Sequence, residues 1–244
     1  MDRFLHELTL FAPAVVFNIY FALASIPLGF VFAVFLALGK ASDNVLINRL
    51  SRGFIYAFRG SPLFIQFFMV YSMMLALNIP LWKPWGWSWF VLHPLFIGPL
   101  VLVLNTAAYT AEIFYGALRA VPRGEVEAAR AYGMSTAQQF RHVIWPNLIR
   151  LAWPAYTNEV VFLFHATALV YLALPVIGQQ MDLMITAKQL FERDYNAVLH
   201  YSAAALYFLA VSLVIFFIFG LIYARLMRHM PTTPRMRFRP KWIR

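Results

Sequence analysis

Read from charge to charge, the chain separates into five long apolar stretches joined by shorter polar ones. They lie within Leu8 to Gly39 and from about Gly60 to Leu77, Leu92 to Ala111, Val160 to Val176 and Leu199 to Ala224. Uncharged runs of about 18 residues or more predict membrane-spanning helices, because a helix satisfies its own backbone polar groups where no water can. The first stretch is longer than a crossing requires. As one straight helix it reaches about 48 Å, against a hydrocarbon core of roughly 30 Å, so its beginning is expected at the interface. It also exceeds a signal-peptide core and is expected to be retained. Pro27 and Pro62 are compatible with spanning, since neighbouring helices satisfy the groups that a proline frees. The predicted fold class is all-α, a polytopic transmembrane bundle of about five spans. It forms a single domain over 1–244, with a polar loop at about 119–150 and a basic tail at 225–244.

Composition agrees with that pattern. A chain that is 62% hydrophobic and 12% charged cannot hide its apolar side chains in a soluble core of this length. The absence of cysteine excludes disulfide, thiolate and iron-sulfur chemistry. Positive charge is unevenly placed. Lys40, Arg49, Arg52, Arg59, Arg119, Arg123, Arg130, Arg141, Arg150 and the tail fall on one side, whereas the other has Arg3, Lys83, Lys188 and Arg193. The first group is therefore expected in the cytoplasm, with the N-terminus in the periplasm and the C-terminus in the cytoplasm. Trp82, Trp85, Trp87 and Trp89 suit an aromatic belt at the outer interface. Cytoplasmic anchoring accounts for most of the net charge of +10, so nucleic acid is not implied. The tail is expected on anionic membrane lipid.

The polar loop contains EAARAYGMSTAQQFRHVIWP, residues 127 to 146. One helix is predicted after Pro122, with Glu125 and Glu127 at its positive end and Gly133 ending it in a left-handed conformation. Ser135 followed by Gln138 has capping-box spacing and predicts a second helix. Phe140, Val143 and Ile144 share its apolar face, Gln139, Arg141 and His142 point elsewhere, and Pro146 is expected to stop it. Such a pair can lie on the headgroups as an amphipathic interface element or enter a groove in another protein.

These residues resemble the membrane subunits of bacterial ABC importers, whose signature is Glu-Ala-Ala, three residues, Gly, nine residues, Ile, any residue, Leu-Pro. Glu127, Ala128, Ala129, Gly133, Val143, Trp145 and Pro146 keep that spacing, with valine for isoleucine and tryptophan for leucine. FRGSPLFIQ (58–66), LNTAAYTAEIF (104–114), VPRGEVEAARAYGMS (121–135) and LAWPAYTNEVVFLFHATAL (151–169) are similar to the polar amino-acid branch, nearest the histidine, lysine, arginine and ornithine importers and their opine relatives. The resemblance implies a type I permease fold in the bacterial inner membrane, with Glu127, Ala128, Ala129, Gly133 and Ser135 in the element that couples to a cytoplasmic ATPase dimer. It further implies a second permease subunit, more often a paralogue than a copy, and a periplasmic substrate-binding protein. ATP and magnesium would be held by the partner ATPase, and the expected cargo is a polar amino acid, with basic ones or opines preferred. This chain has no P-loop of its own: at its one Gly-Lys pair, Val34 and Ala41 stand where glycine and Ser or Thr belong. No catalytic residue, cofactor or metal is expected in it.

Gln66, Asn105, Tyr109, Glu112, Asn158, Glu159 and His165 are candidates for the pathway. Asn105, Tyr109 and Glu112 share one helix face, and polar groups inside a membrane face protein or water. Each carboxylate has an alternative structural role, Glu112 paired with Arg119 and Glu159 with Arg150. His165 can line the pathway or bond a neighbouring helix. Ser61 is expected to cap the second span, with Pro62 in its first turn, and Arg59 to anchor it. An ion-coupled carrier or channel is the alternative function. Five spans do not divide into the paired repeats such carriers use. A structural subunit of a membrane enzyme is a third reading.

Overall fold

The computed structural model describes residues 2–177 and 181–228, with side chains from residue 8 onward; the tail from residue 229 lies outside them. Helix α1 (Asp2–Ala41) carries Pro13 and Pro27 within its length and has Lys40 in its last turn, a cation at the negative end of the dipole. Asn44 restarts the chain, its side chain accepting from the Leu46 and Ile47 amides. Helix α2 (Val45–Gly60) turns Ser51 and Ile55 inward. It meets α3 (Leu63–Ala76) at a bend of 112°. Ser61 ends α2 instead of capping α3: its hydroxyl donates to the Ala57 carbonyl at 2.8 Å, and Pro62 occupies the cap position. The proline makes a clean break, because it lacks the amide that would have continued α2.

After a π turn (Asn78–Trp82) and α4 (Ser88–Val91), α5 (Pro94–Ala120) forms the centre of the bundle. It packs against α1, α2, α3 and the helix that follows the polar loop. The approach to α1 is close at Gly29, where any Cβ would collide with Thr106 Cγ2. Below this crossing, Phe30 packs edge-on against Phe114 and Tyr156, in a cluster shared by α1, α2, α5 and α8 (Trp145–Ala166).

The polar loop itself forms α6 (Arg123–Ala131) and α7 (Thr136–Gln139). Pro146 does not stop the second of these. The chain passes through one π turn (Phe140–Ile144) directly into α8, with Pro146 in its first turn, where a missing amide is harmless. Helix α8 therefore begins well before the predicted Val160. It gives way to a 3₁₀ turn (Thr167–Leu169) and α9 (Val170–Ala173). Helix α10 (Leu183–Asp194) returns across α1, and α11 (Ala197–Leu226) closes the chain.

A buried polar clamp joins three of these parts. Asn18 of α1 donates to Thr167 Oγ1 at 2.9 Å and accepts from the Leu183 amide at 3.0 Å. Among the described residues, α1 from Leu8, α5 and α11 are long and apolar enough to cross a membrane, and the bent pair α2–α3 adds a fourth crossing if counted as one. Helix α11 is mostly exposed, as a lipid-facing helix would be. It is tied to α8 by Trp153 Nε1, which donates to the Phe219 carbonyl at 2.9 Å.

Candidate functional site

The polar loop is a hook with a defined tip. At the end of α6 the Gly133 amide bonds the Arg130 carbonyl at 3.0 Å and the Met134 amide bonds the Ala129 carbonyl at 3.1 Å, the paired closure of a Schellman motif. It requires a left-handed residue, and Gly133 has φ +76° with open space around a would-be Cβ. Conformation rather than crowding therefore selects glycine. The next helix starts two residues later with a complete capping box: Ser135 Oγ accepts from the Gln138 amide, and Gln138 Oε1 accepts from the Ser135 amide at 2.8 Å.

Four of the predicted coupling residues, Glu127, Ala128, Gly133 and Ser135, are exposed on this hook, while Ala129 is buried. Tyr132 and Met134, which flank the glycine, are exposed too. Nothing in the signature singles them out, since they occupy its variable positions. Gln139 departs from the expected polar face: it is buried, and its amide donates to the Met134 carbonyl at 2.7 Å. Glu125 accepts from Asn147 at the start of α8, so the hook is braced against the bundle at its base.

The pathway candidates fall into three groups. Gln66 and Asn105 meet at 3.0 Å, and the buried Gln66 amide also donates to the Phe58 carbonyl and to Ser61. The Phe58 carbonyl is the one that Pro62 leaves without a helical partner. On the same face of α5, the Tyr109 hydroxyl donates to the Arg59 carbonyl at 3.4 Å, and the Arg59 guanidinium lies 5.3 Å from the Tyr109 ring. Glu112 binds Lys40, with Nζ 2.6 and 2.7 Å from its two oxygens, and Arg59 stands 3.9 Å away. Lys40, Arg59, Tyr109 and Glu112 line a cavity of about 520 Å³ together with Arg52 and Tyr56, which Gln66 and Asn105 do not reach. Arg119 is not the partner of Glu112. Seven residues along the helix place it about 10 Å away, over the Tyr115 ring.

Glu159 forms the second group. It does not pair with Arg150, which is nine residues earlier and more than two turns away. It accepts from Thr106 Oγ1 at 3.0 Å and has no ion pair among the described residues. In the third group Asn158 and His165 are exposed on α8, and the His165 ring bonds Ser212 of α11 at 2.9 Å. Lys40, Thr106 and Ser212 join these groups without a local sequence signal, because their roles depend on contacts between distant parts of the chain.

Comparison with known proteins agrees with this geometry. The family described as "Binding-protein-dependent transport system inner membrane component" matches residues 25–228. The histidine/lysine/arginine/ornithine transport system permease protein HisM of Escherichia coli is 38% identical over 215 residues, covering 88% of each chain. The nopaline transport system permease protein NocM of Agrobacterium fabrum is 37% identical over 194 residues, covering 80% of this chain and 78% of its own. The crystal structure of an amino acid ABC transporter with histidines superposes with a TM-score of 0.74 at 26% identity, covering 89% of this chain and 94% of that one. The inward-facing MetNI methionine ABC transporter shares the fold, with a TM-score of 0.69 at 19% identity and coverage of 89% and 96%. The hinged hook, the all-helical bundle and these similarities have one meaning: the chain belongs to the binding-protein-dependent transport system inner membrane components, the permease subunits of ABC transporters, whose ATPase is a separate subunit.

Proposed function

We propose that this permease imports a basic amino acid or an opine, and that the hook over α6 and α7 transmits movement from a cytoplasmic ATPase dimer. The single observation that carries the reading is the hook itself, a rigid, doubly closed turn whose tip residues Tyr132, Gly133 and Met134 are all exposed. A protein groove is the natural cover for such a tip. The excess of lysine and arginine on the hook side supports a cytoplasmic location for it, with the N-terminus in the periplasm. A second permease subunit would complete the pathway, a periplasmic protein would deliver cargo, and ATP with magnesium would bind the ATPase. ATP-driven closure of that dimer would pull the hook and rock the two permeases between outward and inward openings.

The substrate class is supported by the names of the relatives, which include an arginine permease from Haemophilus influenzae, and by Glu159. That carboxylate accepts a hydrogen bond from Thr106 and makes no ion pair among the described residues. Gly133→Val tests the coupling. A β-branched residue at this backbone conformation costs about 1–2 kcal/mol and should distort the tip without expelling the subunit from the membrane. In the reconstituted complex, ATP hydrolysis should persist while uptake of arginine falls severalfold. Normal, fully coupled uptake in that variant would overturn the proposal.

A further inference from the structure

Glu112 lies on the spanning helix α5 and Glu159 on its neighbour α8, and the fold treats them differently. Glu159 makes no ion pair among the described residues, whereas Glu112 is held by a lysine on both oxygens. The Lys40 ammonium that holds it also sits 4.4 Å from the Tyr115 ring, and the lysine side chain is only 12% exposed. Arg59 completes the arrangement at 3.9 Å from Glu112 and 5.3 Å from the Tyr109 ring. A carboxylate with a tyrosine three residues to either side along one helix is chemistry that can capture an ammonium or a guanidinium. Here the chain's own lysine and arginine occupy it. The adjoining cavity of about 520 Å³ is within the size range of small-ligand sites.

We infer that Lys40 is a specificity-determining residue that silences Glu112, so that a cationic cargo is not held at a second carboxylate on its way out. The inference rests on the proposed basic cargo and goes beyond it by assigning opposite roles to the two carboxylates. A transport pathway must bind weakly enough to release, and a Glu112 left with only the more distant Arg59 beside that cavity would retain a cation longer. Lys40 comes from the last turn of α1, and its backbone carbonyl is fixed by Asn48 Nδ2 at 2.6 Å. The counter-cation is thus built into a helix end rather than borrowed from a mobile loop.

The test is equilibrium binding of radiolabelled arginine and citrulline to the purified whole complex without its binding protein. These two amino acids have closely similar shapes and differ in side-chain charge. Lys40→Gln should raise arginine retention about threefold to fivefold, the scale of a single partly buried ion pair, and leave citrulline unchanged. Lys40→Arg should behave as wild type, and adding Glu112→Gln to Lys40→Gln should abolish the gain. A purely structural tie between α1 and α5 predicts otherwise: both ligands would change together, or only the unfolding midpoint would move. Either of those results, or a gain that survives Glu112→Gln, overturns the inference. Uptake assays on the wild-type complex separate the two claims, because failure to import any cationic amino acid or opine removes the proposed cargo whatever Lys40 does.

Discussion

Gln66 shows how one side chain can repair a broken helix. Pro62 removes the amide that would bond the Phe58 carbonyl, and Gln66 Nε2 bonds it instead at 2.7 Å, while Asn105 fixes the orientation of the same amide from α5. Replacing Gln66 with leucine leaves the Phe58 carbonyl and the Asn105 amide without this partner, which should cost about 1–3 kcal/mol. Asn105→Leu should cost less, because Gln66 keeps its bonds to Phe58 and Ser61. Thermal unfolding of the two single variants and the double variant in detergent measures both effects, and a coupling energy near zero would contradict this account. The polar stripe from Asn105 to Glu112 was legible in the sequence as three positions on one helix face. Its partners were not legible, because Gln66 and Lys40 lie 39 and 72 residues away from theirs and no local rule connects such positions. Glu112 and Glu159 show the same limit, since nearby arginines were the obvious partners and the fold chose Lys40 and Thr106 instead.

Among the elements, the hook was the most legible, because its signals act within six residues of one another. Gly133 and the Ser135–Gln138 pair state a stop and a start in local chemistry, and both bonds of the capping box are present. The sequence misled at Gln139, which is buried, and where the chain did not need to stop. Pro146 lies in the first turn of α8, and the π turn before it joins the hook to that helix without a loop. A lever continuous with a helix of the bundle transmits displacement better than one on a flexible connection. The capping box should therefore matter to function as well as to stability. Ser135→Ala removes one of its two bonds and should destabilise the start of α7 by about 1 kcal/mol. Hydrogen exchange should show faster opening of the 135–138 amides with little change in α8. In the complex, the ratio of ATP hydrolysed to substrate imported should rise modestly, less than in Gly133→Val. Unchanged exchange at these amides would show that the hook is held by something other than its cap.

For the whole molecule, the clamp at the end opposite the hook decides which parts can move together. Asn18, Thr167 and Leu183 tie α1, the break after α8 and the start of α10 into one buried network, and rigid tilting of the bundle must carry all three. Asp182 stands beside it, fully buried. Its Oδ1 caps α10 by accepting from the Ile185 amide at 2.9 Å, whereas its Oδ2 and the Tyr171 hydroxyl have no partner among the described residues. Burial raises the carboxyl of Asp182 to about 6, although backbone amides at Ile185, Met184 and Tyr171 oppose the shift. In an unfolded chain it would titrate near 3.9. Below that value both states are protonated and Asp182 imposes no penalty. Between about 4 and 6 the unfolded chain ionises first, so the contribution of this residue to stability declines as pH rises, and above about 6 the decline is complete at an order of 3 kcal/mol. Asp182→Asn keeps a capping oxygen for Ile185 but cannot ionise. Its unfolding midpoint should therefore gain on that of wild type as pH rises from 4 to 7 and run parallel above that. Parallel curves throughout would mean that the buried carboxyl is already neutralised by a partner. A difference that changes only within that window would mean that this clamp is strongest in acid, so acidification would stiffen the end away from the hook and leave the coupling end unchanged.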